Sequence, residues 1–161
     1  MTLESRPDRR PSTHAQLHPA VPVDRPWYAT FAIVLELFTG IAAIPVGLAF
    51  LADPSGGTVG LPRGWIESTV FGSYVVPGLY LLAMNGVGML VVAGLTAIRH
   101  WTAPWLTGVL GAGLVTWILV QVSVMPETSA LQAAFLGIGL VLVAVSVAWL
   151  RRTGQLWIDR G

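Results

Sequence analysis

The chain has 161 residues, 54% of them hydrophobic and 11% charged, with a formal charge of +1. A soluble domain carries about 25% charged residues, so this composition excludes an ordinary globular protein and fits a chain held mostly in lipid. The nine cations are all Arg, with no basic patch interleaved with aromatics, which excludes a nucleic-acid surface; the absence of Cys excludes dithiol exchange, Fe–S clusters and thiolate metal sites.

Residues 1–26 hold four Arg, five Pro, His14, His18 and three acids. They cannot bury enough surface to offset their ordering entropy, and a disordered cytoplasmic tail is expected. The segment is not a signal peptide, because its charged part and the apolar run after it are both too long. His14 and His18 are four apart, but Pro19 is adjacent and no third ligand follows, so no metal site is expected. No histidine lies within an apolar run, so a haem held by histidines at membrane depth lacks its ligands, and no cofactor is expected.

Four apolar stretches follow, at about 28–52, 75–98, 104–125 and 129–150. A hydrocarbon core about 30 Å thick needs around 20 helical residues, and only helices or closed barrels satisfy the backbone there. The expected fold is all-α, a four-transmembrane-helix bundle over 27–152, with 153–161 as a second cytoplasmic tail. Arg6, Arg9, Arg10 and Arg25 precede the first stretch, Arg99 lies between the second and third, and Arg151, Arg152 and Arg160 follow the fourth. Arg63 is offset by Asp53 and Glu67, and the third loop has only Glu127. Positive charge on the inner side therefore places both termini in the cytoplasm of a multi-pass plasma (inner) membrane protein whose first partner is the lipid bilayer. Trp27, Tyr28, Trp101, Trp105 and Trp149 read as interfacial anchors, and Trp157 falls in the second tail.

The first outer loop runs from Asp53 to Tyr74. Pro62 suits a first helical turn, and Leu61, Trp65, Ile66, Val70 and Phe71 share roughly one helical face, so a short interfacial helix is expected there as a cap or a lid.

Glu36 is the only acid within the apolar stretches. A carboxylate at such depth costs about 2.5–3.5 kcal/mol on insertion scales and normally faces a bundle interior or a water path. It is the candidate titrating or transport residue, or else a protonated, hydrogen-bonded structural group. Thr39, on its face, with Asn85, Thr116, Gln121 and Gln132 forms a candidate interhelical polar network, in which Gln121 and Gln132 could bond each other across a short turn; ordinary interhelical glue explains the same residues. Gly86-x-Gly88, Gly94, Gly108-x-x-Gly111-x-Gly113 and Gly137-x-Gly139 let helices approach closely, within the chain or in a homo-oligomer or membrane complex. Pro45 and Pro77 can kink the first and second helices.

Asp53 to Leu79, through Leu61-Pro62, Trp65-Ile66, Phe71, Tyr74 and Pro77-Gly78-Leu79, resembles a family of small four-span bacterial integral membrane proteins of unknown function. Trp117-Ile118-x-x-Gln121 and Leu131-Gln132 resemble that family's second half. The resemblance covers about residues 28–150 and implies topology without an activity. Small multidrug transporters also carry a Glu in their first helix with a Gly nearby, but Glu36 and Gly40 are four apart instead of three, and the long first loop does not match.

These readings lead to a non-enzymatic accessory or envelope-associated membrane subunit. The alternative is a proton-coupled transporter of small or cationic solutes that uses Glu36. An enzyme would need convergent nucleophile, base or metal ligands, and no such set is visible.

Overall fold

The computed structural model describes residues 25–67, 69–125 and 129–155. The disordered-tail expectation for residues 1–24, with His14 and His18, lies outside the described residues, as do Glu127 and Trp157. Among the described residues there is no strand, and four helices are long and apolar enough to cross a membrane: Trp27–Ala52, Val75–Ala97, Ala103–Val124 and Ala130–Arg152. They are the first to fourth spans below.

The ends of the spans follow from local chemistry. Pro26 precedes Trp27, and the Asp53-Pro54 pair closes the first span. Ser129 starts the fourth with a capping box: its hydroxyl accepts from Gln132 N at 3.3 Å, and its own N–H donates to Gln132 Oε1 at 2.9 Å, which satisfies two otherwise orphaned donors. The second span closes with Arg99 at φ 59° while His100 N–H reaches back to the Leu95 carbonyl, a left-handed cap taken here without glycine.

The bundle is two hairpins, the first span on the second and the third on the fourth, and glycines set both contacts. A Cβ on Gly47 would stand 3.1 Å from the Gly78 carbonyl, and one on Gly78 would stand 2.7 Å from Phe50 Cβ. In the other hairpin a Cβ on Gly111 would meet Leu142 Cβ at 2.9 Å, and one on Gly139 would meet the Gly111 carbonyl at 3.0 Å. These small residues therefore bring backbones together inside one chain, as membrane helices without a strong hydrophobic drive require. Gly94 and Gly137 are different, with nothing within 4 Å of an added Cβ.

Two buried clusters join the hairpins. At the end where the first span begins, Ala29, Ala103 and Trp149 close the bundle; Trp149 is fully buried there and so is a core residue, not the interfacial anchor expected from the sequence. In the middle, Ala32, Met89, Val92, Leu110, Leu114 and Leu142 form the main core. The outer faces carry exposed Phe31, Val34, Ile41, Leu48, Val91, Val109 and Leu119. A water-soluble monomer seldom exposes apolar surface on that scale, and a lipid environment matches it.

The first loop is an ordered cap with a short helix at Arg63–Glu67. Ile66 is buried with Phe50 and Tyr74, whose rings stack at 4.8 Å. Val70 is 97% exposed, which corrects its expected place on the packed face: the helix ends at Glu67, before the face reaches it. Asp53 anchors the loop, accepting from Ser55 Oγ at 2.6 Å, Ser55 N at 3.0 Å, Thr58 N at 2.9 Å and Thr58 Oγ1 at 3.1 Å. These donors, the Ser55 hydroxyl first, favour the charged carboxylate and lower its pKa from the ordinary 3.8 to about 2. Because the folded value is the lower one, the Asp53 contribution is complete above pH 3.8 and is lost as pH falls to about 2. Asp53→Ala is therefore expected to lower the thermal unfolding midpoint at neutral pH, and the gap from the parent should close as acid titrates the parent through that window.

Candidate functional site

Glu36 stands at the centre of the first span's buried face. It is 0% exposed, and its Oε1 accepts from Thr107 Oγ1 of the third span at 2.7 Å. Its Oε2 is buried without a hydrogen-bond partner, and among the described residues the one ion pair is Arg63–Glu67 in the loop, far along the chain from this carboxyl. Thr107 is the residue that sequence reasoning missed. Its position near the start of the third span was the available signal, since that span and the first begin at the same end of the bundle.

One turn further along the first span, Thr39 belongs to the wall of a cavity of about 330 Å³. Asn85, Leu114, Trp117, Gln121, Gln132 and Phe135 contribute to the same wall from the other three spans. The first and fourth spans touch through the Phe38–Phe135 ring stack at 5.9 Å. Beyond it, Val46 and Leu131 line the cavity although both are exposed on the outside of the bundle. The cavity therefore reaches the outside of the bundle beside the first and fourth spans, and Met125 and Ser129 extend its wall to the adjoining ends of the third and fourth spans. Pro45 lies on that stretch of the first span, where it leaves the Ile41 carbonyl without its helical donor.

The deep wall is polar and unsatisfied. Thr39 and Asn85 are each 1% exposed, yet Thr39 Oγ1, both amide atoms of Asn85 and Trp117 Nε1 have no hydrogen-bond partner. Buried polar groups are normally paired, so each orphan calls for an explanation. Asn85 lies in a π-helical stretch, Leu81–Gly88, inside the second span; such stretches are rare and recur at functional sites. Tyr80, just before it, stacks on Trp117 at 5.1 Å and donates to the Gly113 carbonyl at 3.0 Å, which ties the stretch to the third span.

The structure thus brings Thr39, Asn85, Gln121 and Gln132 to one cavity, with Glu36 a turn deeper. It does not bring Thr116 there: that side chain is exposed and bonds its own helix at the Ala112 carbonyl, 2.9 Å away. Nor does a hydrogen bond join Gln121 to Gln132, because Gln132 is engaged in the Ser129 cap and donates to Met125 Sδ at 3.5 Å. Helical phase explains the first correction and the cap's competing backbone groups the second.

Comparisons with protein-family models, curated proteins and solved structures found no match. The fold and site define the class: a multi-pass membrane protein with four apolar helices around a buried polar centre.

Proposed function

We propose that the chain is a non-enzymatic accessory subunit of a plasma (inner) membrane assembly, with both termini in the cytoplasm, of the kind represented by the small four-span bacterial proteins it resembles. The observation that supports it best is the hydroxyl on Glu36. A carboxyl that is fully buried and held by Thr107 at 2.7 Å serves to lock the two hairpins together. The cytoplasmic placement of the termini rests on the arginine distribution. Gly94 and Gly137, open on outer faces, are the small-residue positions left for a partner helix or a second copy.

A second reading, proton-coupled transport, draws on the unpartnered Oε2 of Glu36 and on the cavity one turn away. Proteoliposomes loaded with a pH-sensitive dye separate the two. An accessory subunit is expected to give the same solute-dependent proton flux, at background level, with the parent chain and with Glu36→Gln. A flux present in the parent and absent in the variant would overturn the accessory reading.

A further inference from the structure

The cavity between the first and fourth spans is unaccounted for by an accessory role, and its wall states what would fill it. Its volume, about 330 Å³, lies at the small end of the range for ligand pockets, which are mostly apolar with a few placed polar groups. None of the residues that line it is charged, so a charged ligand would be buried there without a partner, at high cost. The deep wall carries a hydroxyl (Thr39), a donor and an acceptor (Asn85) and a lone donor (Trp117), all without partners in the protein. They are nearly or fully covered, so a head reaches them only as the side chains over them shift aside, and only a small head fits. Of the remaining wall, Gln121, Ser129 and Gln132 are polar and sit at the adjoining ends of the third and fourth spans, and the rest is apolar and includes Phe38, Val46 and Leu131, which are exposed on the outside of the bundle.

We propose that this cavity is a binding site for a neutral, single-chain amphiphile with a small head, one hydroxyl or carbonyl, taken up sideways from the bilayer. The head lies on Asn85, Thr39 and Trp117, and the apolar body leaves between the first and fourth spans. The apolar stretch of wall at Phe38, Val46 and Leu131 favours a bilayer source over a water-soluble solute, and the small volume selects against a phospholipid. The proposal stands apart from the accessory reading, since its residues do not include Glu36 or Thr107.

The test uses the full chain in phosphatidylcholine nanodiscs with 9,10-dibromostearyl alcohol, whose bromines quench nearby tryptophan. The expected result is a saturable quenching component, with one probe bound per chain in native mass spectra. Asn85→Leu, which removes both orphan amide atoms, is expected to weaken that component at least tenfold. Ala42→Phe, which fills the cavity from the first span and removes none of the deep polar groups, is expected to do the same and serves if Asn85→Leu fails to fold. Binding unchanged in both folded variants would overturn the proposal. So would equal saturable binding of 9,10-dibromo-octadecane, which has no head, or a saturable site for a water-soluble alcohol that the long-chain alcohol does not displace.

Discussion

Gly139→Val is expected to be among the most damaging single substitutions in the bundle, and Gly137→Ala, two residues away, among the most benign. A Cβ at 139 would lie 2.8 Å from Val115 Cγ2, 3.0 Å from the Gly111 carbonyl and 3.2 Å from Val115 N. Two of those neighbours are backbone atoms of the facing helix, which cannot rotate away, so the third and fourth spans must separate along their length. Overpacking of this kind costs about 1–3 kcal/mol and sometimes more. Valine brings two further methyls and belongs at the upper end. Gly139→Ala is the finer test, because alanine gains up to about 1 kcal/mol of helix propensity over glycine and so offsets part of the clash. At Gly137 the same gain meets open space, and the variant should be neutral or slightly more stable. Reversible denaturant unfolding of the three variants in one detergent measures the order directly; a Gly137 variant as damaging as the Gly139 pair would show that the hairpin contact is wrongly placed.

Thr107→Val is expected to destabilise the chain by about 1–3 kcal/mol, because it strips the one hydrogen bond from a buried carboxyl that already has an unpartnered oxygen. Valine matches threonine in shape, so packing is nearly conserved and the loss reports the bond. Removing both groups is a different matter. In Glu36→Leu/Thr107→Val no polar group is left buried at that contact, and such paired replacements are often neutral or stabilising. The double-mutant cycle should therefore show strong non-additivity, with the second substitution rescuing part of the first. Strict additivity would mean that the two side chains do not interact. Thr107→Ser, which keeps the hydroxyl, is expected to retain most of the stability.

The partner of Glu36 shows why the site was only half legible in the sequence. Counting about 1.5 Å per residue from Trp27 and from Ala103 puts Glu36 roughly 13.5 Å along the first span but Thr107 only about 6 Å along the third. Linear counting assumes parallel, level helices, whereas spans tilt and stagger according to how they meet. Thr116 failed for a related reason: its depth suited a polar trail, but its angular position was set by packing and turned it outward. Trp149 has the residue type and depth of an interfacial anchor, yet it fills the gap between two small residues, Ala29 and Ala103.

By itself the sequence determined the four membrane helices, a short helix in the first loop and the presence of one buried acid, because each depends on local properties: hydropathy over about 20 residues, turn chemistry and the cost of a charge in lipid. Which glycines meet within the chain, which hydroxyl holds Glu36, and the cavity beside the first and fourth spans were decided only by the tertiary structure. Those depend on the rotation and stagger of each helix about its axis, set by the sum of many weak contacts between helices. For Glu36, the sequence supplied the residue and its approximate depth; the fold supplied Thr107.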